Sequence, residues 1–210
     1  MKSRMVQAAM ALLLATSAGC FPPRAEPQPM HTYHFNPDPR PADARPFDPT
    51  RPVLLISLPQ AEPGFETPRM VYVKRPHELE YYSVNQWADT PARMFMSVLI
   101  QALDRTGMWR AVIPLPGSVR GDYRLDSQGF ALQQEFLQQP SRVRVTVRTQ
   151  LVDLKESRVV GRRTFEAAEH APSEDAYGGV QAANRAMAAL LDQLASWLQE
   201  CARHAPECGP

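Results

Sequence analysis

The chain of 210 residues predicts an α/β (α+β) sandwich, a single domain behind a proline-rich tether. Three observations predict it. Several short runs alternate or cluster apolar residues at strand length, two long stretches repeat them every three to four residues, and prolines crowd the N-terminal quarter before any such pattern begins. The stretch 70–112 carries the densest signals, reading as strand, turn, strand, capped helix and strand.

Residues 1–19 read as a signal peptide. Lys2 and Arg4 precede an apolar run over 5–15 and the small residues Thr16, Ser17, Ala18 and Gly19. That run is well short of the roughly 20 residues that cross a bilayer. Cys20 directly after Ala18-Gly19 is the acceptor pattern of a bacterial lipoprotein, whose thiol is acylated, although Ser17 stands where Leu is usual. Ordinary signal cleavage with an unmodified Cys20 is the alternative. Two or three acyl chains attach a protein stably, at roughly 0.8 kcal/mol per buried methylene. Phe21 stands where an inner-membrane retention signal places Asp, so lipoprotein sorting favours the outer membrane, facing the periplasm.

Residues 20–52 form the expected tether. Ten of the 21 prolines fall between 21 and 52, removing backbone donors and fixing φ. At about 3.1 Å per residue such a segment reaches on the order of 100 Å. Tyr33-His34-Phe35 is its one apolar interruption, read equally as tether or as a docked edge strand. His31 and His34 have a metal-pair spacing without further ligands, and no metal or cofactor is expected.

The domain is expected over 53–202, with 203–210 as a tail. Val53 to Leu58 is a short apolar run closed by Pro59, hence a buried strand, and 60–68 is a Pro/Gly loop. Residues 70–74 alternate loosely. The aromatic run 79–87 is strand-like, with Leu79, Tyr81, Ser83, Asn85 and Trp87 on one face and Glu80, Tyr82, Val84 and Gln86 on the other. Polar and apolar residues on both faces suggest a strand covered on both sides or one at an interface. Next comes a helix. Asp89 or Thr90 caps it, Pro91 suits its first position, and Gly107 suits a left-handed C-terminal cap. Phe95, Val98, Leu99, Ala102 and Leu103 make its apolar face.

Residues 109–115 read as a strand, and 123–137 as another, broken at Ser127-Gln128-Gly129 by a bulge or bend. In 142–153, Val143, Val145, Val147 and Leu151 turn inward while Arg142, Arg144, Thr146, Arg148 and Gln150 turn outward, making a basic strip. That strip reads either as a solvated face that resists edge pairing or as a contact with acidic headgroups or a partner subunit. Residues 158–168 complete a hairpin with it. From 175 to 202 a second helix repeats Val180, Ala183, Met187, Leu190, Leu191, Leu194, Leu198 and Cys201. Gly178 and Gly179 weaken its first turn by about 1 kcal/mol each and mark a late start or a close backbone approach. Trp197 beside the stripe is core edge or subunit contact.

No catalytic pattern is present: Pro116-Gly117-Ser118-Val119 is not a nucleophile elbow, and no phosphate loop or zinc quartet occurs. Glu78, Glu80 and Asp89 near aromatics read as surface and cap residues. Removing Lys2 and Arg4 takes the net charge from +1 to −1, which argues against nucleic acid. With Cys20 acylated, Cys201 and Cys208 remain for a C-terminal disulfide, or as two free thiols.

The run PGFETPRMVYVKRPHELEYYSVNQWADTPARM resembles the ABC-type transport auxiliary lipoproteins, a family that includes the lipoprotein of the paraquat-inducible system. Arg75-Pro76, Glu78-Leu79, Tyr81-Tyr82, Trp87-Ala88-Asp89 and Pro91 carry the likeness, followed in order by Asp122-Tyr123-Arg124-Leu125 and Trp197-Leu198. It covers about 53–199. The resemblance implies a mixed, mostly antiparallel sheet with two helices packed on it, and a non-enzymatic adaptor on the outer membrane. Its implied partners are an MCE-domain protein and an ABC permease and ATPase that move lipid between membranes. Homo-oligomers are also implied. Tyr81, Tyr82, Trp87, Arg144 and Arg148 are the candidate interface residues. A lipoprotein that binds a lipid or small ligand alone, in a cleft between strand 79–87 and the two helices, is the alternative.

Overall fold

The computed structural model describes residues 28–37, 48–204 and 208. In chain order they form β1 (His31–Tyr33), β2 (Val53–Ile56), β3 (Arg69–Val73), β4 (Glu80–Trp87), α1 (Pro91–Thr106), β5 (Ala111–Pro114), β6 (Tyr123–Glu135), β7 (Arg142–Asp153), β8 (Arg158–His170) and α2 (Ala176–His204). The eight strands make one mixed sheet, and the two helices pack on it.

Strand β6 is long enough to serve two partners on one edge. Its first residues, Tyr123 to Leu125, pair in parallel with β2, and its last, Gln133 to Glu135, pair in parallel with β3. Between them the chain after β2 runs alongside, with Gln60 N–H donating to Ser127 O and Phe130 N–H to Gln60 O, both at 3.0 Å. The ladder shifts register between Gln128 and Ala131, and Gly129 sits there at φ 64°. A left-handed residue at a bulge is the role glycine fills without steric cost. The sheet therefore forks: β5 and β2 extend one branch, β3, β4 and β1 the other, while β7 and β8 pair antiparallel along the opposite edge.

The core lies between sheet and helices. Alternation in β7 sends Val143, Val145, Val147 and Leu151 inward, where all are buried. Helix α1 buries Phe95, Val98, Leu99 and Leu103, with Ala102 half-buried, and Gly107 ends it at φ 64° with its N–H on Asp104 O. Pro91 occupies the helix start, but Thr90 makes no side-chain cap; the Asp89 carboxylate instead accepts from the Thr90 N–H at 2.7 Å. In α2 the stripe from Val180 to Cys201 is buried. Trp197 stacks edge-on against Phe165 with centroids 5.6 Å apart, so it belongs to the core edge. Gly178 and Gly179 are explained by close approach: a Cβ at Gly179 would meet the Gln134 amide, and one at Gly178 would meet Ser173. Asp175 anchors that turn, accepting from Gly178 N–H at 2.7 Å.

One open alternative is decided and one expectation changes. Of the two readings of the apolar interruption at 33–35, the docked edge strand holds: residues 31–33 form a strand parallel to β4, with Phe35 buried against Trp87 at 4.9 Å and Tyr33 OH donating to Asn85. The faces of β4 also differ from strict alternation. Arg69 pairs with Gln86 but Val71 with Tyr81, so β4 carries three extra residues and reverses its sidedness between its two ends.

Candidate docking surface

With both helices on one side, the other side of β6, β7 and β8 is left to polar side chains. Arg142, Arg144, Thr146, Arg148 and Gln150 turn away from the core, as alternation requires. Register builds a row across five strands: Tyr81, Val71, Gln133, Arg144 and Ala168 are successive partners from β4 to β8. Tyr81, Arg144 and Arg148 thus share the helix-free face.

Tyr82 and Trp87 do not join them, because of the irregularity in β4. The Tyr82 phenol donates to Gln134 Oε1 at 3.0 Å on the helix side, and burial pushes its pKa well up. Trp87 is 3% exposed under Phe35. The cleft expected between this strand and the helices is accordingly filled: the void lined by Met70, Trp87, Leu132 and Gln134 holds only about 10 Å³. A larger groove of about 420 Å³ lies between α1 and α2, lined by Ala102, Arg105, Leu191 and Asp192.

An ion cluster organises the helix-free face. Glu135 is 3% exposed and accepts from Arg142 Nε and Arg144 Nε, each at 2.8 Å, and from Gln133 Nε2 at 2.8 Å. Burial alone raises the pKa of Glu135, but the hydrogen bonds from Arg144, Arg142 and Gln133 outweigh it and hold the carboxyl below the usual range. Arg144 spans onward to Glu166 at 2.6 Å. At the other end of β6, Arg124 grips Asp126. Arg148 differs from these: it is exposed, lies between Gln128 and Thr164 in the ladder, and makes no hydrogen bond or ion pair with a described residue. Tyr81 is held by Arg69 over its ring at 4.6 Å and by donating to Gly64 O at 3.0 Å. Gln133, Glu135 and Glu166 were absent from the sequence expectation; their alternation in β6 and β8 is the signal that could have found them.

Cys201 and Cys208 are joined as a disulfide with Cα atoms 4.9 Å apart. It lays Cys208 against Gly161, where a Cβ would meet the Cys208 carbonyl and Trp197. Cys20 and the expected signal peptide lie outside the described residues. Among the described residues no three of His, Cys, Asp and Glu converge to hold a metal, and no helix is long and apolar enough to cross a membrane.

Comparison with known proteins gives this fold a family. Residues 33–195 match the ABC-type transport auxiliary lipoprotein component, and the chain belongs to that family, which is not a known enzyme family. Protein XCC0632 from Xanthomonas campestris has a similar structure, with 22% identity, a TM-score of 0.71 and coverage of 84% of this chain and 97% of that one. A crystal structure of an uncharacterized protein follows at 10% identity, TM-score 0.60, and coverage of 81% and 99%. At these identities the likeness is one of fold. No curated protein sequence matches the chain.

Proposed function

We propose that this chain is the outer-membrane docking component of an ABC transporter that moves lipid between membranes. Cys20 carries the acyl anchor, and the folded domain meets an MCE-domain protein in the periplasm. Its helix-free face, with Arg148, Arg144 and Tyr81, takes the partner. Family membership supports the transport role. The single observation supporting the surface is Arg148, a cation without a described partner on a face where Arg124, Arg142 and Arg144 are ion-paired and Arg162 is hydrogen-bonded to Gln150.

The test is affinity capture of the chain from detergent-solubilised envelope. Wild type is expected to bring down an MCE-domain or permease subunit, Arg148→Glu to lose most of it, and Cys20→Ser to leave the membrane fraction. Repeated capture without any transporter subunit contradicts the reading.

A further inference from the structure

On the helix-free face of β6, β7 and β8, register and alternation set five arginines, Arg124, Arg142, Arg144, Arg148 and Arg162, against three carboxylates, Asp126, Glu135 and Glu166. Five less three leaves a formal charge of +2 on this face. The surplus falls in one place. Glu135 accepts from Arg142 and Arg144, Glu166 from Arg144, and Asp126 from Arg124 at 2.9, 3.1 and 2.9 Å. Arg148 and Arg162, both exposed, are bonded to no carboxylate among the described residues.

The side chains around this pair are neutral or already committed. Arg148 lies between Gln128 and Thr164 in the ladder, and the carboxylates diagonal to it, Asp126 and Glu166, are each held by another arginine. Gln150 Oε1 accepts from Arg162 Nε at 3.3 Å and from its Nη2 at 2.7 Å, which orients the guanidinium without neutralising it. A guanidinium carries five N–H donors, so three of those on Arg162 remain for another acceptor.

The same face shows what two arginines at such a spacing hold. Arg142 and Arg144 stand two residues apart on one strand, about 6.8 Å, and Glu135 accepts the Nε of each at 2.8 Å. Arg148 and Arg162 are diagonal neighbours on adjacent antiparallel strands, about 7–8 Å apart. A carboxylate from another molecule can bridge them as Glu135 bridges its pair, through charge-assisted bonds. Among the exposed large hydrophobic residues described, Val159 alone lies on β6, β7 or β8. The face therefore has little to insert into a bilayer, and an acidic protein surface fits it better than a lipid surface.

We infer that Arg148 and Arg162 form a carboxylate-binding pair, and that the transporter subunit docking on this face presents an Asp or Glu side chain between them. The inference rests on the docking reading above and adds the chemistry of the partner.

The test is zero-length crosslinking in envelope from cells that express the full chain. A carbodiimide condenses a carboxylate with a lysine amine into an amide, taking up the water as a urea, and does not couple guanidiniums. Arg148→Lys is expected to give an amide between position 148 and an Asp or Glu of a transporter subunit, read by mass spectrometry of the linked peptides, and Arg148→Gln none. In affinity capture, Arg148→Glu and Arg162→Glu are each expected to lower recovery of that subunit at least about tenfold, because a like charge then meets the carboxylate. Retained circular dichroism shows that the variants are folded. The Cys20→Ser chain is expected not to sediment with phosphatidylglycerol vesicles. Capture that survives both reversals, or capture without an amide at position 148, would overturn the inference and leave the docking reading standing. Vesicle binding that Arg148→Glu and Arg162→Glu abolish would give the pair to lipid headgroups instead. Failure to capture any transporter subunit would overturn the docking reading itself, and the inference with it.

Discussion

At the scale of single residues, Glu135 determines how the helix-free face is held. It is nearly inaccessible, and two guanidiniums and an amide converge on it. Its carboxyl titrates below the ordinary value when folded, so the stability it contributes is fully present above the unfolded pKa of about 4.3 and is lost as pH falls through the lower folded pKa. Glu135→Gln is expected to destabilise the domain by about 1–3 kcal/mol at pH 7, since hydrogen bonds to charged groups have that magnitude. The difference should begin to shrink as pH falls below about 4.3, where the unfolded carboxyl takes up a proton, and should vanish only below the lower folded pKa. Urea denaturation at the two pH values reads this directly; an undiminished difference at low pH would show that the charge on Glu135 is not the cause. The disulfide belongs to this scale as well. Cys208→Ser is expected to cost about 2 kcal/mol, as closing a short loop does, with the loss read as a lower urea midpoint at unchanged slope.

At the scale of elements, Phe35 joins the segment 28–37 to the sheet. Its ring covers Trp87, and Ala88 N–H donates to Tyr33 O at 2.7 Å. Phe35→Ala removes a buried ring, a change worth about 3 kcal/mol in cores, and is expected to release β1. Chymotrypsin should then cut after Tyr33 at a rate wild type does not show; equal protection would mean that backbone pairing with β4 is sufficient. Helix α1 was legible in the sequence because its start, stripe and stop are local: Pro91, the 3–4 spacing of Phe95, Val98, Leu99 and Leu103, and Gly107 each act within a turn or two. The inward valines of β7 were legible for the same reason. The forking of β6 was not, because which strand pairs with which half is decided by contacts across the sheet. Nor was the reversal of β4. Strict alternation put Tyr81 with Trp87 and apart from Tyr82, whereas three extra residues between the paired positions turn Tyr82 and Trp87 to the helix side. An insertion of odd length within a strand exchanges its faces, and nothing in the local residue pattern announces it.

At the scale of the whole molecule, the division of labour between the two faces of the sheet carries the functional reading. The helix side is packed with aromatic and aliphatic side chains and leaves almost no void beneath β4. The other side presents ion-paired arginines around the exposed Arg148. This arrangement favours a domain that docks another protein over one that encloses a lipid beside β4. The docking claim is tested most directly by photocrosslinking in intact cells, with a photoreactive amino acid placed at Arg148 or, as the opposing control, at exposed Ser196 on α2. The account predicts that position 148 captures the MCE-domain protein and position 196 does not. Capture at position 196 with none at 148 would contradict it.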